Sequence, residues 1–327
     1  MKQTSKEVIN EGVVIEINNF SKKFKKFQAI KNISFNIKQG SIHGFIGPNG
    51  SGKTTTIKSI IGAYRSLPGQ IKILNFKPGS EKANRLIGYI PEKASFPKHL
   101  NTIDYLITMA TFSGIKLKEA KQKALDILKS IGLEQHKKRN PNEFSSGMKK
   151  KILLAQALII DPKILILDEP AANLDPDARK ELFDSLIELR KQGKSIFISS
   201  HILSELEKII DSATFIYNGD VLFSGELKNI SKSKNNLYIK TSNNLKTKKL
   251  LKEILKLESE GDSKSEIIIK DVNEKQKNEI IQIILENKIV LQSLRHNDLQ
   301  SFYDSLVEQS QGERDDSNLQ RSNAEIS

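Results

Sequence analysis

The sequence predicts an α/β fold in which helices cover a largely parallel sheet. Continuous apolar runs such as residues 164–167 ("ILIL") are typical of strands that are buried on both faces. A glycine-rich stretch, residues 47–54, lies between the strand-like run "SIHGFI" and the helix-like pattern "TTTIKSIIGAY". Strand-like and helix-like segments then alternate through "KILILD" and "KSIFISS", as they do when helices connect parallel strands.

The order of these segments indicates one large domain over residues 12–229. It opens with three predicted strands, in "VVIEINNF", "ISFNI" and "SIHGFI". Between Glu92 and Pro162, apolar residues recur at spacings of three and four, which is typical of amphipathic helices. We therefore predict a helical insert at about residues 93–161, between the glycine-rich stretch and the later strands.

The pattern changes after residue 229, where the polar stretch "SKSKNN" predicts a linker. Strand-like segments ("LYIKTS", "EIIIKD", "KIVLQSL") then alternate with helix-like segments, which predicts a small α+β accessory domain over residues 230–308. Residues 309–327 are rich in Ser, Gln, Asn and charge, and we expect them to be disordered. Residues 1–11 form a polar lead to the first strand.

The composition excludes several classes of site and protein. The 327 residues include no cysteine, so disulfides and thiolate metal sites are excluded, and the five histidines lie too far apart to suggest a metal cluster. No apolar run approaches the roughly 18 residues that a membrane span needs, and the N-terminus has no signal-peptide core. We therefore expect a protein that is made and kept in the cytosol.

The formal net charge of +13 raises the question of an anionic partner. The lysines are dispersed, and the densest clusters, residues 22–26 and 149–151, hold one aromatic residue between them, Phe24, rather than the series of stacking aromatics of a single-strand binder. We interpret most of this charge as solvated surface and expect no specific nucleic-acid partner. Weak attraction to anionic lipid is the alternative.

The glycine-rich stretch has the composition of a phosphate-binding loop. Gly47, Gly50 and Gly52 lack Cβ atoms, so the backbone N–H groups can approach an anion at the start of a helix. Lys53 supplies a positive charge for the outer phosphates, and the Thr54 hydroxyl can bind Mg²⁺. The alternative, a flexible turn with a solvated lysine, does not explain why spacing, lysine and hydroxyl all fit G-x-x-x-x-G-K-[ST].

Two adjacent carboxylates follow the apolar run "ILIL". Asp168 ends this predicted strand, where it would face a nucleotide-bound Mg²⁺, and Glu169 supplies a second acid that can polarise a water molecule. In isolation, such a pair could equally be a helix cap or a chance surface pair. The phosphate-binding loop favours the catalytic interpretation.

Six motifs in order resemble those of the ATP-binding subunits of ATP-binding cassette (ABC) transporters. "GPNGSGKTT" is similar to Walker A, "ILILDEP" to Walker B, and "FSSGM" to the signature that lies between them. "ANLDP" resembles the D-loop, "FISSH" the switch histidine segment, and "KKFKKFQAI" the adenine-stacking loop. The resemblance covers roughly residues 13–230 and implies a P-loop NTPase core with an antiparallel β subdomain and a helical insert.

The resemblance also implies a role for each matching residue. Glu169 would orient or deprotonate the attacking water, His201 would contact the γ-phosphate, and Lys53 would bind phosphate. Magnesium would be held by Thr54, Asp168 and Glu92. The residues implied in ATP binding are Phe24, against the adenine, with Gly47, Pro48, Asn49, Gly50, Ser51, Gly52, Lys53, Thr54, Thr55, Ser145, Gly147 and Asp175.

Two departures from the family pattern point to an exporter-like branch. The signature usually reads Leu-Ser-Gly-Gly-Gln, but Ser146 and Met148 replace its first glycine and its glutamine here. The loop that usually carries a glutamine has Glu92, which adds negative charge near the phosphates. That branch of the family often carries an additional C-terminal domain.

The resemblance implies two kinds of protein partner. Two ATP-binding subunits, identical or related, are expected to pair head to tail, and a separate multi-span permease is expected to dock after Glu92. Phe96, Tyr105 and Phe112 are candidate docking residues, although each is equally consistent with the core of the helical insert. The protein would then lie on the cytoplasmic face of the membrane.

Two other functions are compatible with an ABC cassette. A soluble ABC ATPase acting on ribosomes or nucleic acid is the main alternative, but such relatives generally carry two cassettes or a long coiled coil. A catalytically inactive module is disfavoured because Lys53, Asp168, Glu169 and His201 are all present.

Overall fold

The computed structural model describes residues 12–227, 236–261, 266–296, 299–300 and 302–311. Contacts within the chain divide it into two units, Met1–Ser224 and Gly225–Ser327. This division falls five residues before the domain boundary predicted from the sequence. The predicted polar lead, residues 1–11, lies outside the described residues, as does most of the predicted linker.

The first unit contains an antiparallel three-stranded sheet, which is the predicted β subdomain. β1 pairs with β2 on one side and with β4 on the other, both antiparallel. The β1–β2 hairpin places Phe24 opposite Phe27 across a tight turn. The spatial order is β2 (Phe27–Lys38), β1 (Val13–Phe24) and β4 (Ile71–Ile73).

A six-stranded sheet forms the centre of the same unit, and its central strands are parallel. Its strands are short and apolar, and every residue of β3, β6 and β7 is buried, as the continuous apolar runs predict. The spatial order is β5 (Ile87–Ile90), β6 (Ile164–Leu167), β7 (Ser195–Ser200), β3 (Ile42–Ile46), β8 (Ser212–Tyr217) and β9 (Asp220–Glu226).

Helices connect these strands. Several begin at a capping side chain: Asp175 accepts from the Ala178 N–H and Pro176 occupies the first helical position, which suits its missing N–H. Three of the longer helices lie within the predicted helical insert. The helices are α1 (Lys53–Ile60), α2 (Glu81–Asn84), α3 (Thr102–Phe112), α4 (Leu117–Ser130), α5 (Ser146–Leu158), α6 (Pro176–Lys191) and α7 (Leu203–Leu206).

The hydrophobic core of the first unit joins both sheets to α1. Fully or nearly fully buried side chains from all three form one cluster, so removing water from their apolar surface supplies the main stabilisation of this unit. The cluster includes Ile15, Ile37, Phe45, Ile57, Ile164 and Phe197. Within the described residues, no helix is both long enough and apolar enough to span a membrane.

The second unit is a small α+β structure, as the sequence predicts. Its antiparallel four-stranded sheet has the order β11 (Ser259–Glu260), β12 (Ile267–Ile269), β10 (Leu237–Thr241) and β13 (Leu291–His296). The sequence analysis does not anticipate the two-residue strand β11.

Two helices, α8 (Asn244–Leu255) and α9 (Glu274–Glu286), pack with this sheet around a separate core. Residues 302–311 are helical, so the first three residues of the segment predicted to be disordered, 309–311, belong to a helix. The rest of that segment, residues 312–327, lies outside the described part of the chain.

Candidate functional site

The glycine-rich turn between β3 and α1 is the centre of the candidate site. Gly52 has φ of 112°, a left-handed conformation, and a Cβ there would lie 2.4 Å from Ile30 Cδ1. A Cβ at Gly47 would lie 2.1 Å from the Ile216 carbonyl oxygen. Because side chains are excluded at both positions, the backbone of this turn packs directly against β2 at Ile30 and β8 at Ile216.

Lys53 begins α1 and folds back over this turn. Its Nζ donates to the carbonyl oxygens of Gly47, at 2.7 Å, and Pro48, at 3.1 Å. The same ammonium forms an ion pair with Glu169 Oε1 at 3.0 Å, and both side chains are largely buried. The lysine of the turn and the predicted catalytic acid, which are far apart in the sequence, are therefore in direct contact.

His201 contacts the other oxygen of the same carboxylate. Its Nδ1 lies 2.8 Å from Glu169 Oε2, and its backbone N–H donates to that oxygen at 3.3 Å. Glu169 has φ of 45°, an uncommon conformation for a residue with a side chain. The carboxylate is thus held between a lysine on one side and a histidine on the other.

Ser199 connects the two adjacent acids. Its hydroxyl accepts from the Glu169 N–H at 2.9 Å and donates to Asp168 Oδ1 at 2.8 Å, and it is fully buried. The parallel register of β6 and β7, with Leu167 opposite Ile198, brings the next residues of both strands together. A single buried hydroxyl therefore joins the Asp168 carboxylate to the backbone of Glu169.

The surroundings of Asp168 suit a divalent cation. Burial raises the pKa of Asp168, and the charges of Glu169 and Glu92 add to this effect, whereas hydrogen bonds with Ser199 and Thr54 oppose it. Carboxylates that repel one another beside a hydroxyl form the oxygen-rich set that Mg²⁺ prefers. Over the described part of the chain, no group of three or more His, Cys, Asp or Glu could hold a metal ion, so further oxygen ligands are required.

A cavity of about 490 Å³ opens beside the glycine-rich turn. Many of the predicted site residues line it: Asn49, Gly50, Gly52, Lys53, Thr54, Thr55, Glu92, Glu169 and His201. The sequence analysis does not anticipate four further lining residues: Phe27, Ala29, Ala172 and Asn173.

The aromatic side chain in the wall of this cavity is Phe27, whereas the sequence analysis assigns the adenine to Phe24. Phe24 instead packs edge-on against Tyr64, with 5.3 Å between the ring centroids. Phe27 is 66% exposed, so its ring is accessible to a planar ligand. The sequence signal for Phe27 is its place three residues after Phe24 in the segment "KKFKKFQAI", and the hairpin pairs the two residues directly.

Comparisons with known proteins identify the family of this chain. A family model described as ABC transporter matches residues 30–172. A putative ABC transporter ATP-binding protein from Mycoplasma pneumoniae is 40% identical over 303 residues, which is 90% of this chain and 93% of that protein. The chain belongs to the ABC transporter ATP-binding proteins.

Other ABC relatives have more specific names. The bacitracin transport ATP-binding protein of Bacillus licheniformis is 38% identical over 212 residues, covering 64% of this chain and 68% of that protein. A lantibiotic transport ATP-binding protein of Streptococcus pyogenes is 36% identical over 213 residues, covering 65% of this chain and 91% of the relative.

Solved ABC cassettes confirm the predicted fold. The ATP-binding subunit of an ABC transporter superposes with a TM-score of 0.61 at 31% identity, covering 67% of this chain and 92% of that structure. As an ABC ATPase, the chain hydrolyses ATP to ADP and phosphate in a reaction coupled to transport. Subunits of this family work with membrane permeases that are separate chains.

Ser145 and Gly147 of the ABC signature and Asp175 of the D-loop do not line the 490 Å³ cavity, although Ala172 and Asn173 of the D-loop do. Ser145 caps the N-terminus of α5, its hydroxyl accepting from the Met148 N–H at 3.3 Å. Gly147 lies against α6, since a Cβ there would be 2.9 Å from the Ala178 Cβ. Asp175 caps α6 through a 2.8 Å hydrogen bond from the Ala178 N–H.

Proposed function

We propose that this chain drives export by pairing with a second ABC ATP-binding subunit and acting on a separate permease from the cytoplasmic face of the membrane. The contact of Glu169 with both Lys53 and His201 beside the glycine-rich turn is the observation that carries the catalytic part of this proposal. The bacitracin and lantibiotic transport relatives support the assignment to export.

Nucleotide binding changes the partner of Lys53. In the structure its ammonium pairs with Glu169, and the β- and γ-phosphates of ATP would replace that carboxylate as its anionic partner. Gly50, Gly52 and the first N–H groups of α1 would bind the same phosphates at the positive end of the helix. Glu169 Oε1 is then released to accept a proton from the attacking water.

His201 keeps the released carboxylate in place. Its ring and its backbone N–H both contact Glu169 Oε2, so the second oxygen stays fixed while the first engages water. The histidine also lines the cavity, where it can contact the γ-phosphate. We assign proton abstraction to Glu169 and positioning of the phosphate and carboxylate to His201.

Thr54, Asp168 and Glu92 would hold Mg²⁺, with phosphate oxygens as the remaining ligands. When bound, the ion would neutralise the negative charge that develops on the phosphates during hydrolysis. Ser199 donates to the Asp168 carboxylate and would thereby fix the orientation of this metal ligand.

The second ATP-binding subunit would complete the site. Ser145 and Ser146 are exposed at the N-terminus of α5, whose N–H groups attract anions. In a head-to-tail pair, Ser145 and Gly147 of one subunit would contact the γ-phosphate bound by the other, and Asp175 would lie at the same interface. ATP then stabilises the dimer, and hydrolysis weakens it.

The permease would dock beside the end of α3. Phe112, at the C-terminus of α3, is 81% exposed and lines a cavity of about 790 Å³ with Arg85 and Lys123. Phe96 and Tyr105 are buried and pack edge-on with 5.1 Å between their centroids, so they belong to the core. Of the three candidate docking residues, Phe112 is accessible to a partner.

Glu169→Gln tests the proposal. Because the amide cannot accept the proton, we expect ATP hydrolysis to fall by at least about 100-fold while ATP binding is retained. The full-length protein would be assayed for steady-state hydrolysis and for binding of a fluorescent ATP analogue. Glu207→Gln changes an exposed carboxylate beyond the switch histidine and should hydrolyse ATP at the wild-type rate.

The same variant tests the partners. Tagged Glu169→Gln protein, purified in mild detergent with ATP and Mg²⁺, should retain a multi-span membrane protein in stoichiometric amount. Copurification of ribosomes or nucleic acid in its place would contradict the transport assignment. Wild-type hydrolysis by Glu169→Gln would contradict the assigned base.

A further inference from the structure

Lys150 is a buried cation that the mechanism above does not use. It lies in α5, five residues after Ser145, and the residue is only 6% exposed. Its Nζ donates to the carbonyl oxygens of Pro91, at 3.1 Å, and Glu92, at 2.6 Å. Burying an ammonium costs several kcal/mol unless its partners compensate for the lost hydration. The two carbonyl oxygens provide that compensation for Lys150.

The charges that act on Lys150 are those of the proposed metal site. Burial lowers the pKa of Lys150 to about 8, and the carboxylates of Glu92 and Asp168 oppose that effect. Glu92 also contributes to the raised pKa of Asp168, which shows that the two carboxylates repel each other. The direct contact of Lys150 is with the backbone carbonyl of Glu92, so the ammonium fixes the loop that carries this carboxylate.

A second contact holds α5 against β5. A Cβ at Gly88 would lie 2.6 Å from the Ala157 carbonyl oxygen in α5, so the strand and helix leave no space for a side chain between them. α5 is therefore held at two levels, against β5 at Gly88 and against the loop after β5 at Lys150. A displacement of this loop relative to α5 would have to break the Lys150 hydrogen bonds.

We propose that Lys150 is a positioning residue, which holds Glu92 at the magnesium site and joins the loop after β5 to the signature helix. A movement of Glu92 on nucleotide binding would reach Ser145 at the start of α5 through this connection, over about 7 Å of helix. The inference deepens the proposed function, since it rests on Glu92 as a metal ligand and on α5 as the signature helix.

Lys150→Met in the full-length protein removes both the charge and the donors while keeping the length of the side chain. We expect kcat for ATP hydrolysis to fall about tenfold, the KM for ATP to change less than about threefold, and the Mg²⁺ concentration for half-maximal activity to rise. Loss of a buried charge favours the folded state, whereas two carbonyl oxygens that lose their donor disfavour it, so we expect only a small change in the unfolding temperature. Lys149→Met removes the same charge one residue earlier, at a half-buried position, and is the matched control.

Two rescue experiments separate positioning from packing. Lys150→Arg keeps a charged donor and should recover most of the lost kcat. Glu92→Gln in the Lys150→Met background removes the uncompensated carboxylate. The kcat of the double variant should therefore be higher than the value obtained by multiplying the relative kcat values of the two single variants. Lys150→Gln serves in the same comparisons if Lys150→Met does not fold.

Equal kcat values for Lys150→Met and Lys149→Met would overturn the inference. A lower unfolding temperature with no recovery in Lys150→Arg would also overturn it, because that combination indicates a packing role alone. Glu169→Gln measured in parallel separates the two proposals: if it abolishes hydrolysis while Lys150→Met does not affect it, the inference about Lys150 fails and the proposed base stands.

Discussion

At the scale of single residues, His43 is a buried histidine whose two ring nitrogens both contact hydroxyl groups. It is fully enclosed in β3, with Nδ1 2.8 Å from the Ser212 hydroxyl and Nε2 2.9 Å from the Thr214 hydroxyl. Its ring packs against Phe35 and Phe197, at centroid distances of 6.0 Å and 5.9 Å. Such a position accommodates a neutral imidazole and disfavours an imidazolium.

His43 makes the stability of the protein sensitive to acid. Burial lowers its pKa from 6.5 to about 3, so between these values the unfolded chain binds a proton that the folded chain does not. The free energy of unfolding should therefore fall as the pH drops below 6.5, by up to about 1.4 kcal/mol per pH unit from this residue. Urea unfolding of the full-length protein between pH 7.5 and 5 measures this slope.

A matched pair of histidine variants isolates that contribution. His43→Gln should have a lower starting stability but a smaller decrease on acidification, because the residue that takes up the proton on unfolding is gone. His99→Gln replaces an exposed histidine and should retain the wild-type slope. Identical slopes for His43→Gln and the wild type would show that His43 does not cause the acid sensitivity.

At the scale of helices and strands, the catalytic segments are joined by an ion pair between α6 and α7. The Arg179 guanidinium pairs with Glu205, whose side chain is 12% exposed, and also donates to the Leu174 carbonyl at 3.3 Å. Leu174 immediately precedes the D-loop aspartate, and α7 begins two residues after His201. This pair therefore connects the D-loop to the segment that carries the switch histidine.

A double-mutant cycle with Arg179→Met and Glu205→Gln should give a coupling free energy of about 1.5–3 kcal/mol, because a largely buried carboxylate loses its charged partner. The exposed pair Lys151–Glu181 joins α5 to α6 and is the control, for which we expect under about 1 kcal/mol. Urea unfolding of the four members of each cycle measures both values. Equal coupling in the two pairs would contradict a special role for Arg179.

At the scale of the whole molecule, each unit has a hydrophobic core of its own. The core of the second unit is formed by buried residues of its sheet and two helices, among them Leu237, Ile239, Leu251, Ile280 and Ile284. All described residues that line the proposed ATP site belong to the first unit. Nucleotide binding and the integrity of the second unit should therefore be separable.

A chain that ends at residue 227 retains β9 and should unfold cooperatively and bind ATP with an affinity within about threefold of the full-length value. A chain that ends at residue 219 loses β9, the neighbour of β8 in the six-stranded sheet, and should be markedly less stable. Circular dichroism melting and binding of a fluorescent ATP analogue compare the two chains. Loss of cooperative unfolding in the longer chain would show that the first unit depends on the second.

The prediction from sequence is most specific where function depends on residues that are close along the chain. The glycine-rich turn, Lys53 and Thr54 are adjacent, and their phosphate-binding chemistry follows from composition and spacing. The apolar run before Asp168 places that carboxylate at a strand end, which β6 confirms. The helical insert and the α+β arrangement after residue 229 follow in the same way from apolar periodicity.

The sequence by itself determined the fold class, the ABC family and the candidate phosphate-binding residues, because local spacing encodes them. The tertiary structure decided which distant side chains meet: Ser199 reaches Asp168 because β6 and β7 are paired in parallel register, and Lys150 reaches Glu92 because α5 packs on β5. It also placed Phe27 rather than Phe24 in the cavity wall. These contacts depend on the order of strands in space, which differs from their order in the chain.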